Sequence, residues 1–267
     1  MSDATVTTTP TRVAMQRRAT PRWLASFWPP ALAALLIFAA WEGAIWWFHL
    51  PNFVLPHPAE IVGVAVQNHE QLAADTAVTV VESLSGYVLG SIMGLVVAII
   101  FVLIPRLEHV LLPVYVVVNS VPMIAYGPLA IIYLGIGSAS KIVLVTIAVS
   151  YTVLINALAG LRSTDPRAID LLRTFGATRG TVLVKLRLPA AMPAIFSGLR
   201  VAVVHAMILA VVLEMLGANA GLGWAVYKST QMMSFVEAWS AVAASVLASL
   251  VIYLVVSWVA RRFVWWS

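Results

Sequence analysis

The chain has 267 residues, 61% of them hydrophobic and only 10% charged, with a net charge of +5 and a mean hydropathy of +0.96. A soluble domain carries roughly a quarter charged residues, so a water-facing surface cannot be built from this composition and the bilayer is the expected solvent. The basic surplus is not set in a polar, aromatic-studded surface, which argues against a nucleic-acid partner, and the lack of cysteine excludes disulfides, thiolate metal sites and thiol chemistry.

In chain order, residues 1–22 are rich in Thr and Pro and basic, and are expected to form a flexible tail; residues 23–267 are expected to form one membrane domain. A first span is predicted over residues 29–50, opened by Pro29-Pro30. Its apolar core is too long for a cleaved signal peptide, and no small-residue cleavage site follows it. Residues 51–76 mix Pro, His, Asn and acids with short apolar patches, and a short interfacial helix is expected from Pro58 to Asn68. The second span is predicted over 77–104. The third, over 110–134, is broken by Pro113, Pro122 and Pro128, a pattern tolerated in membranes where protein or a watery cavity satisfies the freed backbone. The fourth, fifth and sixth spans are predicted over 141–161, 194–217 and 236–260, which makes an all-α polytopic membrane protein of six helices. Trp265 and Trp266, with Arg261 and Arg262, read as an interfacial anchor.

Six spans place both termini on one side. With that side cytoplasmic, Arg12, Arg17, Arg18, Arg22, Arg106 and Arg162 face inward, as do Arg167, Arg173, Arg179, Lys185, Arg187, Arg261 and Arg262. Only Lys141 and Lys228 fall outside, and Arg200 lies within a span. The positive-inside rule therefore predicts cytoplasmic termini and a cytoplasmic loop over 162–193.

That loop holds a basic island, DLLRTFGATRGTVLVKLRLP, from Asp170 to Pro189. Its apolar residues recur at helical spacing, Gly176 and Gly180 interrupt them, and Pro189 is expected to end the segment, so two short helices with a glycine bend are predicted. On the residues alone, an amphipathic helix lying on the headgroups is an equal reading. The spacing of Asp170-Leu171-Leu172, Gly176, Leu186 and Leu188-Pro189 resembles the cytoplasmic "EAA" loop of binding-protein-dependent ABC importer permeases, with Asp for Glu, Leu-Leu for Ala-Ala and Leu for Ile. Segments 120–141 (SVPMIAYGPLAIIYLGIGSASK), 188–202 and 214–224 (EMLGANAGLGW) extend the resemblance to the nitrate, sulfonate and taurine branch of that family, over about Val80 to Arg262.

The resemblance implies a type I importer permease fold in the bacterial inner membrane, with a coupling helix that seats in a groove of a cytoplasmic ABC ATPase. It also implies a second copy of the chain, membrane lipid around it, and an extracytoplasmic solute-binding protein as partners. ATP and Mg would belong to the ATPase, with no cofactor in this chain. Leu171, Leu172 and Phe175 would be the apolar knobs, Gly176 the turn, and Arg173 and Arg179 rim charges. No G-x-x-x-x-G-K-[ST] loop occurs in the sequence, so the ATPase is expected to be another protein, and the chain is not expected to be an enzyme.

Acids at membrane depth are costly and mark functional candidates. Glu42 reads equally as a pathway residue or a helix contact beside Trp41, Trp46 and Trp47. Glu82, near the start of the second span, is expected to be an interfacial cap. Glu214 is expected to face the dimer interior or an outer gate, with a cross-helix hydrogen bond as the rival reading. Arg200, about 10 Å into its span, is close enough to snorkel back to the cytoplasmic face, although an anionic solute would also welcome it. Asn119, Ser120, Tyr126 and His205 are further cavity-lining candidates, and GANAGLGW (217–224) is expected to make an outer re-entrant turn or a plain loop. The five histidines show neither H-E-x-x-H nor close pairing, so no metal site is expected. A secondary transporter or channel is the alternative, but the two halves show no convincing repeat. An intramembrane enzyme would show paired catalytic groups at one depth, and none is evident. Relatives of this general type handle nitrate, sulfonates, taurine, bicarbonate and pyrimidine- or flavin-like compounds, so the solute is not fixed by the sequence.

Overall fold

The computed structural model describes residues 22–263, and among these the regular structure is entirely helical. The expected tail and the terminal Trp265 and Trp266 lie outside the described residues, Arg22 excepted. The chain divides into two units, Met1–Leu50 and Pro51–Ser267. The first contains α1 (Arg22–Phe48), whose apolar stretch Leu32–Phe48 matches most of the first predicted span.

The second unit opens with α2 (Pro58–Gln67), the short helix expected between the first two spans. Then come α3 (His69–Leu103), α4 (Pro105–Ser120), a 3-10 turn at Met123–Tyr126, α5 (Gly127–Leu134) and α6 (Ser138–Arg162). The island supplies α7 (Pro166–Thr174) and α8 (Arg179–Val182), followed by a π turn at Leu183–Arg187; α9 (Leu188–Leu216), α10 (Leu222–Gln231) and α11 (Phe235–Phe263) complete the unit. Among the described residues, four helical runs are long and apolar enough to cross a membrane: α3, α6, Arg179–Leu216 and α11. The α4–α5 pair, bent by 82°, makes a fifth.

Two boundaries differ from expectation. α3 begins at His69 rather than near Ala77, because the polar stretch HEQLAADT is rich in good helix formers even though it lacks an apolar stripe. Pro189 does not end the island. It stands in the first turn of α9, where a missing N–H costs little, and the π turn before it keeps Arg179–Leu216 one continuous helix.

The break after α4 has a local cause. Val121 precedes Pro122 and is extended (φ −84°, ψ 129°), as a residue before proline prefers. Pro122 has no N–H to give the Val118 carbonyl, and the Tyr126 hydroxyl donates to that oxygen instead, at 3.4 Å.

The core is built by α3, α6 and α9. Gly86, Gly90 and Gly94 recur every four residues on the α3 face toward α6. A Cβ at Gly90 would stand 2.6 Å from the Thr146 carbonyl oxygen, and one at Gly94 2.4 Å from that of Ser150, so the two backbones touch. Lipid provides no hydrophobic drive between helices, and close van der Waals contact of this kind is what holds them together. Val145, Val149 and Val153 of α6 and Ala202, Ala206 and Ala210 of α9 fill the layer beyond. α11 packs on the outside of α9 and α10, and Val246, Leu250, Val251 and Leu254 stay exposed, as a lipid-facing surface requires.

Candidate functional site

The island projects a short two-faced helix. Asp165 caps α7 by accepting from the Arg167 N–H at 2.9 Å, and Pro166 occupies the first turn. Ile169 is buried and Leu172 half-buried, whereas Leu171 and Phe175, one turn apart, are 60% and 80% exposed. The helix ends in a Schellman arrangement: the Gly176 N–H donates to the Arg173 carbonyl at 2.8 Å and the Ala177 N–H to that of Leu172 at 3.0 Å. Gly176 has φ +81°, a conformation few other residues adopt without strain, and nothing lies within 4 Å of where its Cβ would be. Thr178 then caps α8, accepting from the Thr181 N–H at 3.3 Å.

Of the island's predicted docking residues, Asp170, Leu171, Arg173, Phe175 and Arg179 are exposed and Leu172 is partly turned inward. Leu186, Leu188 and Pro189 belong to the long helix rather than to the projecting loop. At the root of the loop, Arg162 in the last turn of α6 forms an ion pair with the buried Glu108 in the first turn of α4. α3 ends at the same level, so the loop rises from tied helix ends.

The far end of α3 holds a buried polar knot. Glu214 is fully buried, and its Oε2 accepts from the Gly223 N–H at 2.7 Å and the Thr79 hydroxyl at 3.0 Å. Thr79 Oγ1 accepts from the Leu222 N–H at 2.8 Å, and Asp75 Oδ1 from the Gly221 N–H at 2.9 Å. The first three residues of the α10 segment are thereby tied to α3 and α9, which satisfies donors that a helix start leaves open. Gly221 (φ +105°) and Gly223 permit the approach: a Cβ at Gly223 would stand 2.0 Å from the Val211 carbonyl oxygen. The re-entrant turn expected over 217–224 thus leads into a helix that folds back onto the spans.

Glu82 stands beside Glu214, and Lys141 lies near both carboxylates with its Nζ donating to the Ile136 and Gly137 carbonyls. All three are buried. The expected interfacial cap at Glu82 is therefore corrected, since α3 starts thirteen residues earlier, at His69, and carries Glu82 into its interior. Asp75 and Thr79 were not singled out in the sequence, and Lys141 only as a charge on the outer side. The spacing of Asp75, Thr79, Glu82 and Gly86 along one helix face was the available signal.

The remaining membrane candidates are dispersed. Glu42 lies on α1 and is exposed. Asn119 Nδ2 donates to the Tyr115 carbonyl at 3.0 Å and Ser120 Oγ to that of Val116 at 2.8 Å, both back-bonds one turn down their own helix. Arg200 is half-buried on α9, with its Nε buried and unpartnered among the described residues, and His205 is exposed on the same helix.

A bundle of apolar helices with a projecting, apolar-tipped loop at one end and a tied hairpin at the other defines a polytopic membrane component. Residues 79–264 match the family model described as the binding-protein-dependent transport system inner membrane component. The chain belongs to that family and is an ABC importer permease. It is 33% identical over 236 residues to a probable ABC transporter permease protein of Haemophilus influenzae, a match covering 88% of this chain and 96% of the relative. It is 34% identical over 143 residues to the taurine transport system permease protein TauC of Escherichia coli, covering 54% of this chain and 52% of that protein. Among solved structures, an amino acid ABC transporter has the same fold, with a TM-score of 0.63 at 17% identity over 74% of this chain and 97% of the other.

Proposed function

We propose that two copies of this permease form a pathway for a small solute and that α7, within the loop 163–188, docks on a cytoplasmic ABC ATPase. The observation that carries this reading is the outward pair Leu171 and Phe175, which a capped helix and a glycine turn hold apart from the spans. Seating each such side chain in a groove contributes about 1.5–3 kcal/mol. That suffices to transmit a rigid-body movement, while the driving energy comes from ATP and Mg on the partner. Nucleotide-driven closure of the ATPases would draw the two loops together and switch the cavity between its two openings. An extracytoplasmic binding protein would deliver the solute at the opposite face, where the Glu214 knot fixes the α10 hairpin.

The positive-inside count supports a cytoplasmic side for both termini and the loop in a bacterial inner membrane. Resemblance to the sulfonate and taurine branch favours an anionic solute, and Arg200, with an unpartnered Nε, is the pathway residue that would meet it. Copurification from membranes tests the docking. Wild-type chain is expected to retain a stoichiometric ATPase and Phe175→Asp to lose it with the permease still folded; full uptake by the permease alone would favour a secondary transporter instead.

A further inference from the structure

At the end of the bundle that bears the island, a cavity of about 700 Å³ opens between the C-termini of α3 and α6, the N-terminus of α4 and the π turn. Arg106, Arg162, Arg173, Arg179 and Arg187 line it, with Glu108 the one acid among the lining residues. Arg162 takes Glu108. Arg173 reaches Asp170, outside the lining, at only 3.9 Å. Arg187 stands close enough to Arg162 and Arg173 to be repelled by both, and its Nε is buried without a hydrogen-bond partner among the described residues. The floor is apolar, formed by Phe101, Leu103, Val182 and Leu183.

Convergent guanidinium groups repel one another unless an anion sits among them, and their forked N–H groups match phosphate oxygens in pairs. Basic pockets between membrane helices on the cytoplasmic side are suited to lipid headgroups. The apolar floor separates the two possible sources, since a free phosphate gains nothing from it while a glycerol and the start of an acyl chain do. We propose that this cavity holds the phosphate of an anionic phospholipid from the cytoplasmic leaflet, wedged between the spans and the docking loop. The proposal rests on the orientation given above, but not on the identity of the solute.

Native mass spectrometry of the purified, delipidated importer complex tests it, with phosphatidylglycerol and phosphatidylcholine added in parallel and ATPase stoichiometry read from the same spectra. Wild-type complex is expected to retain phosphatidylglycerol selectively. Arg106→Gln combined with Arg187→Gln should weaken that retention about thirty-fold, as expected for two basic contacts. Arg187→Lys should fall between, keeping the charge without the fork. If the double variant fails to assemble, Arg106→Gln alone must still show a reduced preference. Equal retention in wild type and variants overturns the proposal. So does tighter binding of inorganic phosphate in lipid-free detergent, which would assign the site to a free anion. Lipid bound to the isolated permease but expelled from the assembled complex would assign the arginines to the ATPase. Lost ATPase with lipid selectivity intact would instead count against the docking reading.

Discussion

Glu214→Leu should detach the α10 hairpin from the spans, whereas Glu214→Gln should not. Leucine removes the acceptor of the buried Gly223 N–H, at about 1–3 kcal/mol. It also removes the Thr79 contact, worth roughly 0.6–1.7 kcal/mol for a polar pair between membrane helices. Thr79 can still donate to the Asp75 carbonyl at 3.2 Å, so its hydroxyl is not orphaned. The total is about 2–5 kcal/mol, or on the order of 4–20 °C in unfolding midpoint for a chain of this size. Glutamine presents a carbonyl oxygen where Oε2 stands and keeps both bonds, and its amide can donate to Glu82 Oε2, which has no partner among the described residues. Thermal unfolding of the purified permease in detergent separates the two variants. Equal midpoints for Leu and Gln would refute the view that this carboxylate works as an acceptor for the hairpin, and would return Glu214 to the pathway candidates.

Gly176→Ala meets no side chain, so its cost is the left-handed backbone alone, about 1–2 kcal/mol. ATPase-coupled uptake should fall several-fold, Gly176→Asn should fall less, and equal activity of all three chains would show that the Schellman turn is not needed for coupling. Gly94→Leu forces a side chain against the Ser150 carbonyl and should separate α3 from α6, read as loss of folded permease on gel filtration, while Gly63→Leu on α2, with open space around it, should be tolerated.

Five of the predicted spans were legible because their composition leaves no other solvent, the broken third among them because Pro122 removes a donor that the backbone needs, whereas the apolar part of the first, Leu32–Phe48, is shorter than a span. The projecting helix was legible from the island's charge and glycine positions. The course of the helix through Pro189 was not, since proline signals a stop in the middle of a helix and a start in its first turn, and only the π turn decides between them. Glu82 was misread, and the contact of Lys141 missed, for a related reason. Each was weighed singly, as a cap and as an outer-loop charge, whereas the structure brings them to partners 59–132 positions away in sequence, on α3, α6 and α9. Long-range pairing of buried polar groups leaves only a faint mark along one chain, here the Asp75-Thr79-Glu82 face. Leu172 was grouped with its neighbours by type, and the phase of α7 turns it partly inward.

The absence of cysteine makes one measurement especially direct. A Thr174→Cys chain places a single thiol on the exposed last turn of α7 and leaves Leu171 and Phe175 intact. Labelled with a membrane-impermeant maleimide, it should react in inverted vesicles stripped of the ATPase, resist in sealed cells, and become protected when the ATPase is added back. Reaction from the outside of sealed cells, or labelling that the ATPase leaves unchanged, would contradict the assignment of this loop as the docking element.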